Sequence, residues 1–385
     1  MICTTPILDL ALFYYYRNSI TPTNEVEEFY NTVKSWKNAV DYINSGILPD
    51  CQLPPYKTFE QYENIDLRTN MRKYNEIQSV NNQYLVNDQL PSINMGYYPF
   101  VSLVIGPTGS GKSQLLRNLI GLKKLQPMPE AVIFITPTKG TISHDEIILW
   151  KTQLQEGNYT SHHHSIVPTT KVFNIEFIEC AFDDVITPEN LDVNNENSIF
   201  SIWSKKGPVC VILDECMQKL IQKTNISPLY CSLPSKLCSK YGNPFYMFVV
   251  LHNVNPVSGH GGNIMDLKGQ AKIHILSTKN QPLQLSHFVN NRTGGLNPGI
   301  KTILMNSIVS EKNQKYSFVM YNTCPVRESF QWSAILEGGR NIYPLCLDLQ
   351  NLLLDSVCRV CNVHMCKIKN KTRYQREKKR KLQEE

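Results

Sequence analysis

The strongest constraint in this 385-residue sequence is an apolar run that leads directly into a glycine-rich segment. Residues Phe100–Ile105 read as a buried strand, and residues 106–113 read G-P-T-G-S-G-K-S, which satisfies the phosphate-loop pattern G-x-x-x-x-G-K-[ST]. The next residues have apolar side chains at helical spacing, and Gly121 provides a stop. The order strand, loop and helix is the context in which this pattern binds phosphate.

Each part of the loop has an expected role. Glycines allow the backbone to curl so that successive N–H groups face the phosphate oxygens. Lys112 is expected to reach the β- and γ-phosphates, and the Ser113 hydroxyl is expected to bind Mg²⁺. The predicted nucleotide-binding residues are Gly106, Pro107, Thr108, Gly109, Ser110, Gly111, Lys112 and Ser113.

A second acidic element follows much later in the chain, where the apolar run Val209–Leu213 ends in two carboxylates. We predict that Asp214 holds Mg²⁺ and that Glu215 polarises the attacking water. A strand followed by an acidic helix cap is the alternative. Signalling GTPases usually place water with a glutamine, and the sequence has no Asn-Lys-x-Asp guanine motif, so ATP is the expected nucleotide. Lys112, Asp214 and Glu215 are thus candidate catalytic residues.

The apolar run Phe245–His252 is followed by Asn253, a candidate catalytic residue that would sense the γ-phosphate. A loop-capping asparagine is the alternative. Arg292 is a candidate arginine finger, while Arg117 and Arg340 are weaker candidates. We favour a solvated surface arginine over a finger for each of the three.

The chain is predicted to be an α/β protein, a P-loop NTPase with a central, mostly parallel sheet. Short runs that are apolar on both faces are typical of parallel strands covered by helices. A helical and loop region is expected over residues 1–95, the ATPase domain over 96–350, and a helix with a Cys/His cluster over 351–366. No window approaches the roughly 18 apolar residues of a membrane helix, so no membrane association is expected. The predicted strands are Phe100–Ile105, Ala131–Thr136, Ile175–Cys180, Val209–Leu213, Phe245–His252 and Ala271–Leu276.

The charge of the chain is concentrated at its carboxyl end. The formal net charge is +6, and residues 367–385 alone carry this surplus, so the rest of the chain is neutral. This pattern excludes a globally basic coat or condensing protein and an acidic disordered chain. The predicted DNA-binding residues of this disordered tail are Lys367, Lys369, Lys371, Arg373, Arg376, Lys378, Lys379, Arg380 and Lys381.

Residues 378–381 also match a nuclear localisation signal. A solvated end without a ligand is the alternative interpretation of the tail. Just before it, Cys358, Cys361, His364 and Cys366 have ligand types that suit Zn²⁺. Their spacing is tighter than in known zinc knuckles, and Cys358 equally fits the apolar face of a helix, so we favour a packed cysteine over zinc.

Several segments together resemble the adenoviral genome-packaging ATPases. The resemblance extends over roughly residues 96–350 and is more specific than the phosphate loop alone. The segments that carry it are Gly106–Leu119, Leu213–Met217, Leu233–Leu237, Val250–Pro256, Gly261–Ile264, Tyr321–Pro325 and Gln331–Ser333.

The resemblance implies an ATPase that binds the packaging sequence of double-stranded viral DNA and powers its entry into preformed capsids. It also implies activation of the viral major late promoter through downstream elements. Expected partners are other viral packaging proteins, the capsid vertex and further copies of the chain in a dimer or ring. The expected locations are the nucleoplasm and nucleolus of the host nucleus and the virion. The alternative is a DNA-binding transcription or assembly factor that uses ATP as a structural cue without motor activity.

Overall fold

A computed structural model of the chain describes residues 64–84, 93–95, 98–156, 159–160, 166–167, 174–223, 225–252, 262–310, 317–339 and 341–359, together with Glu27 and Asn31. The chain divides into two compact units. The sheet unit consists of Leu85–Leu285 and Ile308–Leu345, and the helical unit consists of Met1–Tyr84, Ser286–Ser307 and Cys346–Glu385. We predicted one continuous domain over residues 96–350, whereas the contacts assign 286–307 to the helical unit.

Nine strands of the described residues form one sheet with the order β11-β10-β9-β8-β1-β7-β6-β2-β5. The short strands β3 (Tyr159–Thr160) and β4 (Ile166–Val167) form a separate antiparallel pair. The strands of the large sheet are β1 (Phe100–Ile105), β2 (Ala131–Thr136), β5 (Glu176–Ala181), β6 (Val209–Leu213), β7 (Phe245–Leu251), β8 (Ile273–Ser277), β9 (Phe318–Asn322), β10 (Trp332–Leu336) and β11 (Asn341–Pro344).

Six neighbouring strands, from β5 through β2, β6, β7 and β1 to β8, are parallel. Every residue of β1, β2, β6, β7 and β8 is buried, as expected for strands with both faces covered. The six predicted strands agree with these within two residues at each end. The predicted α/β fold with a mostly parallel sheet is therefore confirmed.

The other edge of the sheet consists of β9, β10 and β11, which pair antiparallel with their neighbours, starting from β8. We did not predict this meander. Its strands are only four or five residues long, and their burial is interrupted, so their sequence signal is weak.

Helices connect the strands of the sheet unit, and α9 packs on β7 and β1. Within the described residues, no helix combines the length and the apolar composition of a membrane span. The helices are α1 (Leu67–Asn82), α2 (Lys112–Gly121), α3 (His144–Glu156), α4 (Phe182–Val185), α5 (Pro188–Leu191), α6 (Ile199–Lys206), α7 (Met217–Gln222), α8 (Ser227–Cys231), α9 (Leu233–Tyr241), α10 (Gly262–Gln270), α11 (Pro282–Asn290), α12 (Pro298–Ser310) and α13 (347–359), with 3₁₀ turns at Glu328–Phe330 and Glu337–Gly339.

An aromatic cluster fastens α3 to the end of the parallel sheet. Trp150 of α3 is fully buried, and its ring centroid lies 5.2 Å from that of Phe134 on β2 and 5.8 Å from that of Phe177 on β5. Tilted and offset aromatic pairs of this kind stabilise a core beyond their buried area. The cluster therefore holds α3 at a fixed position on the sheet.

The helical unit contains a half-buried carboxylate, Asp355, with two amide partners. The side-chain amide of Asn297 donates to Oδ1 of Asp355 at 2.8 Å, and that of Asn351 donates to Oδ2 at 2.9 Å. Burial raises the pKa of Asp355, and the two hydrogen bonds partly oppose this shift. Both carboxylate oxygens are satisfied, which explains how this polar group is accommodated between helices.

Replacement of Trp150 by alanine should destabilise the sheet unit. A buried tryptophan truncated to alanine leaves a cavity, so we expect the free energy of unfolding to fall by about 3–5 kcal/mol. Urea denaturation followed by far-UV circular dichroism measures this change. Ile148→Ala, two residues earlier at an exposed position of α3, is the matched control, and its effect should stay within about 0.5 kcal/mol. Equal losses in both variants would contradict the packing role assigned to Trp150.

Candidate active site

Residues 106–111 form the loop between β1 and α2, and residues 112–113 begin α2, as the phosphate-loop pattern predicts. Gly111 is the N-cap of α2 and has a φ of 91°, a left-handed conformation that side chains disfavour. A Cβ atom on Gly106 would lie 2.7 Å from the Ser110 hydroxyl oxygen and from Cβ of Ser277, so only glycine fits there. The loop thus ends at the amino terminus of a helix, where backbone N–H groups and the helix dipole favour an anion.

Lys112 is the first residue of α2, and its side chain folds over the loop. The ammonium group donates to the carbonyl oxygen of Gly106 at 2.8 Å and to that of Pro107 at 3.0 Å. Burial lowers the pKa of Lys112, while the nearby Asp214 and Glu215 oppose this shift. The two carbonyl contacts fix the ammonium charge at the phosphate loop, where it is able to bind an anion.

The acidic pair follows β6 and is held by the neighbouring strand. The backbone N–H of Asp214 donates to the carbonyl of Ile135, the penultimate residue of β2, at 2.9 Å. Oδ1 of Asp214 accepts from the backbone N–H of Glu215 at 3.1 Å. Glu215 has a φ of 57°, which is uncommon for a residue with a side chain and occurs most often at functional sites.

Asp214 lies in a surrounding that disfavours its charge. Burial, followed by the carboxylates of Glu215 and Glu146, raises its pKa to about 6, and Lys112 only partly offsets this. A divalent cation would remove the unfavourable electrostatics, and Mg²⁺ prefers oxygen ligands such as carboxylates and hydroxyls. The donor chemistry of Asp214 and of Ser113, in the first turn of α2, therefore fits Mg²⁺.

His252 directly follows β7, the strand between β1 and β6, and its ring lies between the loop and the acidic pair. Nε2 of His252 is 2.7 Å from Oε2 of Glu215, and Nδ1 is 3.5 Å from the Thr108 hydroxyl. We predicted Asn253 as the polar residue at this position, and Asn253 lies outside the described residues. Sequence reasoning missed His252, although it belongs to the same polar doublet after the apolar run.

Comparison with known proteins identifies the family. The model of the adenovirus IVa2 protein family matches residues 20–383. The chain belongs to this family. This confirms the resemblance that we inferred from the sequence motifs, and the match extends far beyond residues 96–350.

Individual relatives are similar over most of the chain. Packaging protein 1 of snake adenovirus serotype 1 is 35% identical over 356 residues, which cover 89% of this chain and 79% of the relative. Packaging protein 1 of fowl adenovirus A serotype 1 is 36% identical over 85% of this chain and 75% of the relative. Among solved structures, the genome packaging NTPase B204 of Sulfolobus turreted icosahedral virus 2 aligns with 58% of this chain and 92% of its own, with 13% identity and a TM-score of 0.34.

Arg117 is a buried structural residue, so the expectation of a solvated surface arginine is wrong for it. Its guanidinium is paired with Glu146 at 3.0 Å and lies 5.5 Å from the centroid of the Trp150 ring. Arg292 belongs to the helical unit, where it stacks 3.8 Å from the centroid of the Phe288 ring. Arg340 lies outside the described residues.

Two further predicted sites lie mainly outside the described residues. The nine cationic residues of the tail are all outside, as are Cys361, His364 and Cys366. Cys358 is fully buried on α13, and its sulfur lies 4.0 Å from the side-chain nitrogen of Asn297. The burial of Cys358 agrees with the packed-cysteine interpretation. In the part of the chain that the structure describes, no three metal-binding side chains form a group.

Replacement of Asp214 by asparagine should stabilise the protein in the absence of metal. The raised pKa means that the folded state prefers the protonated carboxyl, so ionisation at neutral pH costs folding free energy. The free energy of unfolding of the variant should therefore exceed that of the original chain increasingly as pH rises from about 4 to 6. Above that range the difference should stay constant, on the order of 2 kcal/mol. Urea denaturation in EDTA at pH 4 and pH 7.5 measures it.

Glu176→Gln is the control for that experiment, because it neutralises an exposed carboxylate at the start of β5. Its effect should be small at both pH values. A destabilised Asp214→Asn variant at pH 7.5 would show that the environment favours the charged carboxylate and would contradict the assigned electrostatics.

Proposed function

We propose that this chain binds ATP with Mg²⁺ and hydrolyses it, and that hydrolysis powers the encapsidation of a viral genome into preformed capsids. One observation carries the catalytic part of the proposal. The loop with Lys112, the acidic pair after β6 and the histidine after β7 meet at the carboxyl edge of three adjacent parallel strands. Membership of the adenovirus IVa2 family, with relatives named Packaging protein 1, supports the role in genome packaging.

In the proposed reaction, the backbone N–H groups of the loop and the Lys112 ammonium bind the phosphate oxygens. Ser113 and Asp214 would hold Mg²⁺, and the bound ion would supply positive charge to neutralise the phosphates. Glu215 accepts a proton from water as the water oxygen attacks the γ-phosphorus, and the bond from phosphorus to the ADP oxygen breaks. Lys112 remains in place to stabilise the charge that develops on the leaving oxygen.

We assign DNA binding to the basic tail, residues 367–385. Nine cations in a segment with three acidic residues suit contacts with phosphates of double-stranded DNA. Such contacts give affinity without base selectivity.

The proposal extends to binding of the packaging sequence and of late-promoter downstream elements, where the protein would activate transcription. It also extends to action as a dimer or ring, together with other packaging proteins, at the capsid vertex. The basic cluster at residues 378–381 supports localisation to the host nucleus, and packaging supports presence in the virion.

Two substitutions test whether hydrolysis drives packaging. Lys112→Ala removes a charge-assisted contact to phosphate and should weaken ATP binding on the order of 10- to 100-fold. Glu215→Gln should retain ATP binding and lower turnover by about 100-fold or more, because the amide is unable to accept the proton. Filter binding, ATPase assays and encapsidation of viral DNA in infected cells provide the three measurements.

The control for these substitutions is Lys205→Ala, an exposed lysine in the last turn of α6. All three measurements should match those of the original chain. If Glu215→Gln abolishes turnover while encapsidation continues unchanged, ATP serves only as a structural cue, and the motor function is excluded in favour of a transcription or assembly factor.

Deletion of residues 367–385 should flatten the salt dependence of DNA binding. Each lost phosphate contact lowers the slope of log affinity against log salt by about 0.9. ATP affinity should stay unchanged, because the residues of the phosphate loop remain. Deletion of residues 382–385 alone is the matched control, since it keeps all nine cations. An identical slope for the longer deletion and the control would assign the DNA contacts to another surface.

A further inference from the structure

The proposed general base, Glu215, has only one side-chain partner among the contacts that the structure describes. Its Oε2 atom is 2.7 Å from Nε2 of His252, whose side chain is 28% exposed while that of Glu215 is 52% exposed. An ionised carboxylate only accepts hydrogen bonds, so Nε2 carries the hydrogen. One oxygen of the carboxylate is thereby fixed, and Oε1 is the other acceptor.

The backbone explains why Glu215 needs such a partner. Glu215 has a left-handed φ of 57° and belongs to neither neighbouring element, since β6 ends at Leu213 and α7 begins only at Met217. The neighbouring residues are fixed by backbone and thiol contacts, since both the N–H of Asp214 and the Cys216 thiol donate to the carbonyl of Ile135. The Glu215 backbone is therefore constrained, while its long and half-exposed side chain keeps rotational freedom.

The other side of the His252 ring faces the phosphate loop. Nδ1 lies 3.5 Å from the hydroxyl of Thr108, at the limit of a hydrogen bond. The ring follows directly on β7, whose Leu251 pairs with Ile105 at the end of β1. The imidazole is thus attached to the strand next to the loop and spans the gap between loop and carboxylate.

We propose that His252 is the positioning residue for Glu215, holding its carboxylate in the orientation in which it takes the proton from water. This inference rests on the proposed hydrolysis. His252 acts through Glu215, so its loss should lower the rate of the chemical step and leave nucleotide binding unchanged. An error of about 1 Å in the position of a catalytic group costs up to roughly 100-fold in rate.

Three variants distinguish the contact that Nε2 makes with Glu215 from the contact that Nδ1 makes with Thr108. His252→Ala should lower kcat about 10- to 100-fold, with the KM for ATP and the Kd for ADP within twofold of the original chain. In His252→Gln the amide nitrogen occupies a position similar to Nε2, so most of the rate should return. In His252→Asn the amide is shorter and mimics Nδ1 instead, so the rate should stay close to that of the alanine variant.

A double-mutant cycle with Glu215→Gln tests whether His252 acts through the carboxylate. In the Glu215→Gln background, His252→Ala should cause no further loss of turnover, because the group that it positions is gone. His287→Ala, at an exposed histidine of α11, is the matched control and should leave kcat unchanged. The Kd for ADP reports whether each variant still folds around the loop.

Several results would overturn the inference. These are a kcat of His252→Ala within twofold of the original, a loss that appears in ADP affinity instead of kcat, equal rates for the glutamine and asparagine variants, or additive losses in the cycle. If Lys112→Ala and Glu215→Gln still abolish turnover, the proposed ATPase stands and only the role of His252 is lost. If those two variants hydrolyse ATP normally, the proposed function fails and the inference fails with it.

Discussion

The active site depends on the parallel pairing of β7 with β1 on one side and β6 on the other. Register fixes Leu251 opposite Ile105 and Val249 opposite Leu213, so the loop, His252 and the acidic pair leave the sheet at the same edge. A shift of one residue would move His252 by about 3.3 Å and reverse the side of the sheet that it faces. All three strands are buried on both faces. A shift would draw the polar residues that follow the strands into the core, so the register is fixed.

The electrostatics of this edge are unbalanced without a cation. Asp214 has two carboxylates nearby, Glu215 and Glu146, while Lys112 is the opposing cation that affects its pKa. Arg117 forms an ion pair with Glu146, and its guanidinium also lies over the ring of Trp150. The aromatic cluster therefore helps to hold the arginine that pairs with one of these carboxylates. The fold thus places carboxylates next to a loop whose backbone suits phosphate, and this is the combination that the proposed binding of a nucleotide with Mg²⁺ requires.

The sequence predicted those parts of the fold and of the site that a single local pattern of residues determines. The loop at residues 106–113 and the strand Val209–Leu213 each form from contiguous residues, and their chemistry is determined by residue type. The order of strands was not accessible, because a parallel crossover does not reveal which strand becomes the neighbour. For that reason the contact between His252 and Glu215, which the pairing of β6 with β7 brings together, escaped prediction. The meander from β9 to β11 was missed because short edge strands have little periodicity.

The separation of charge along the chain has a physical consequence for the proposed function, in which one protein binds both a nucleotide and DNA. Contacts of exposed cations with a polyanion are screened within about 8–10 Å at ordinary ionic strength, whereas partly buried groups such as Lys112 and Asp214 are screened much less. If residues 367–385 bind DNA as proposed, salt would weaken these contacts while the electrostatics around Lys112 and Asp214 change little, because the rest of the chain is formally neutral. The proposed packaging motor would have to release DNA repeatedly while it retains its nucleotide chemistry, and this division of charge suits that role better than a uniformly basic surface would.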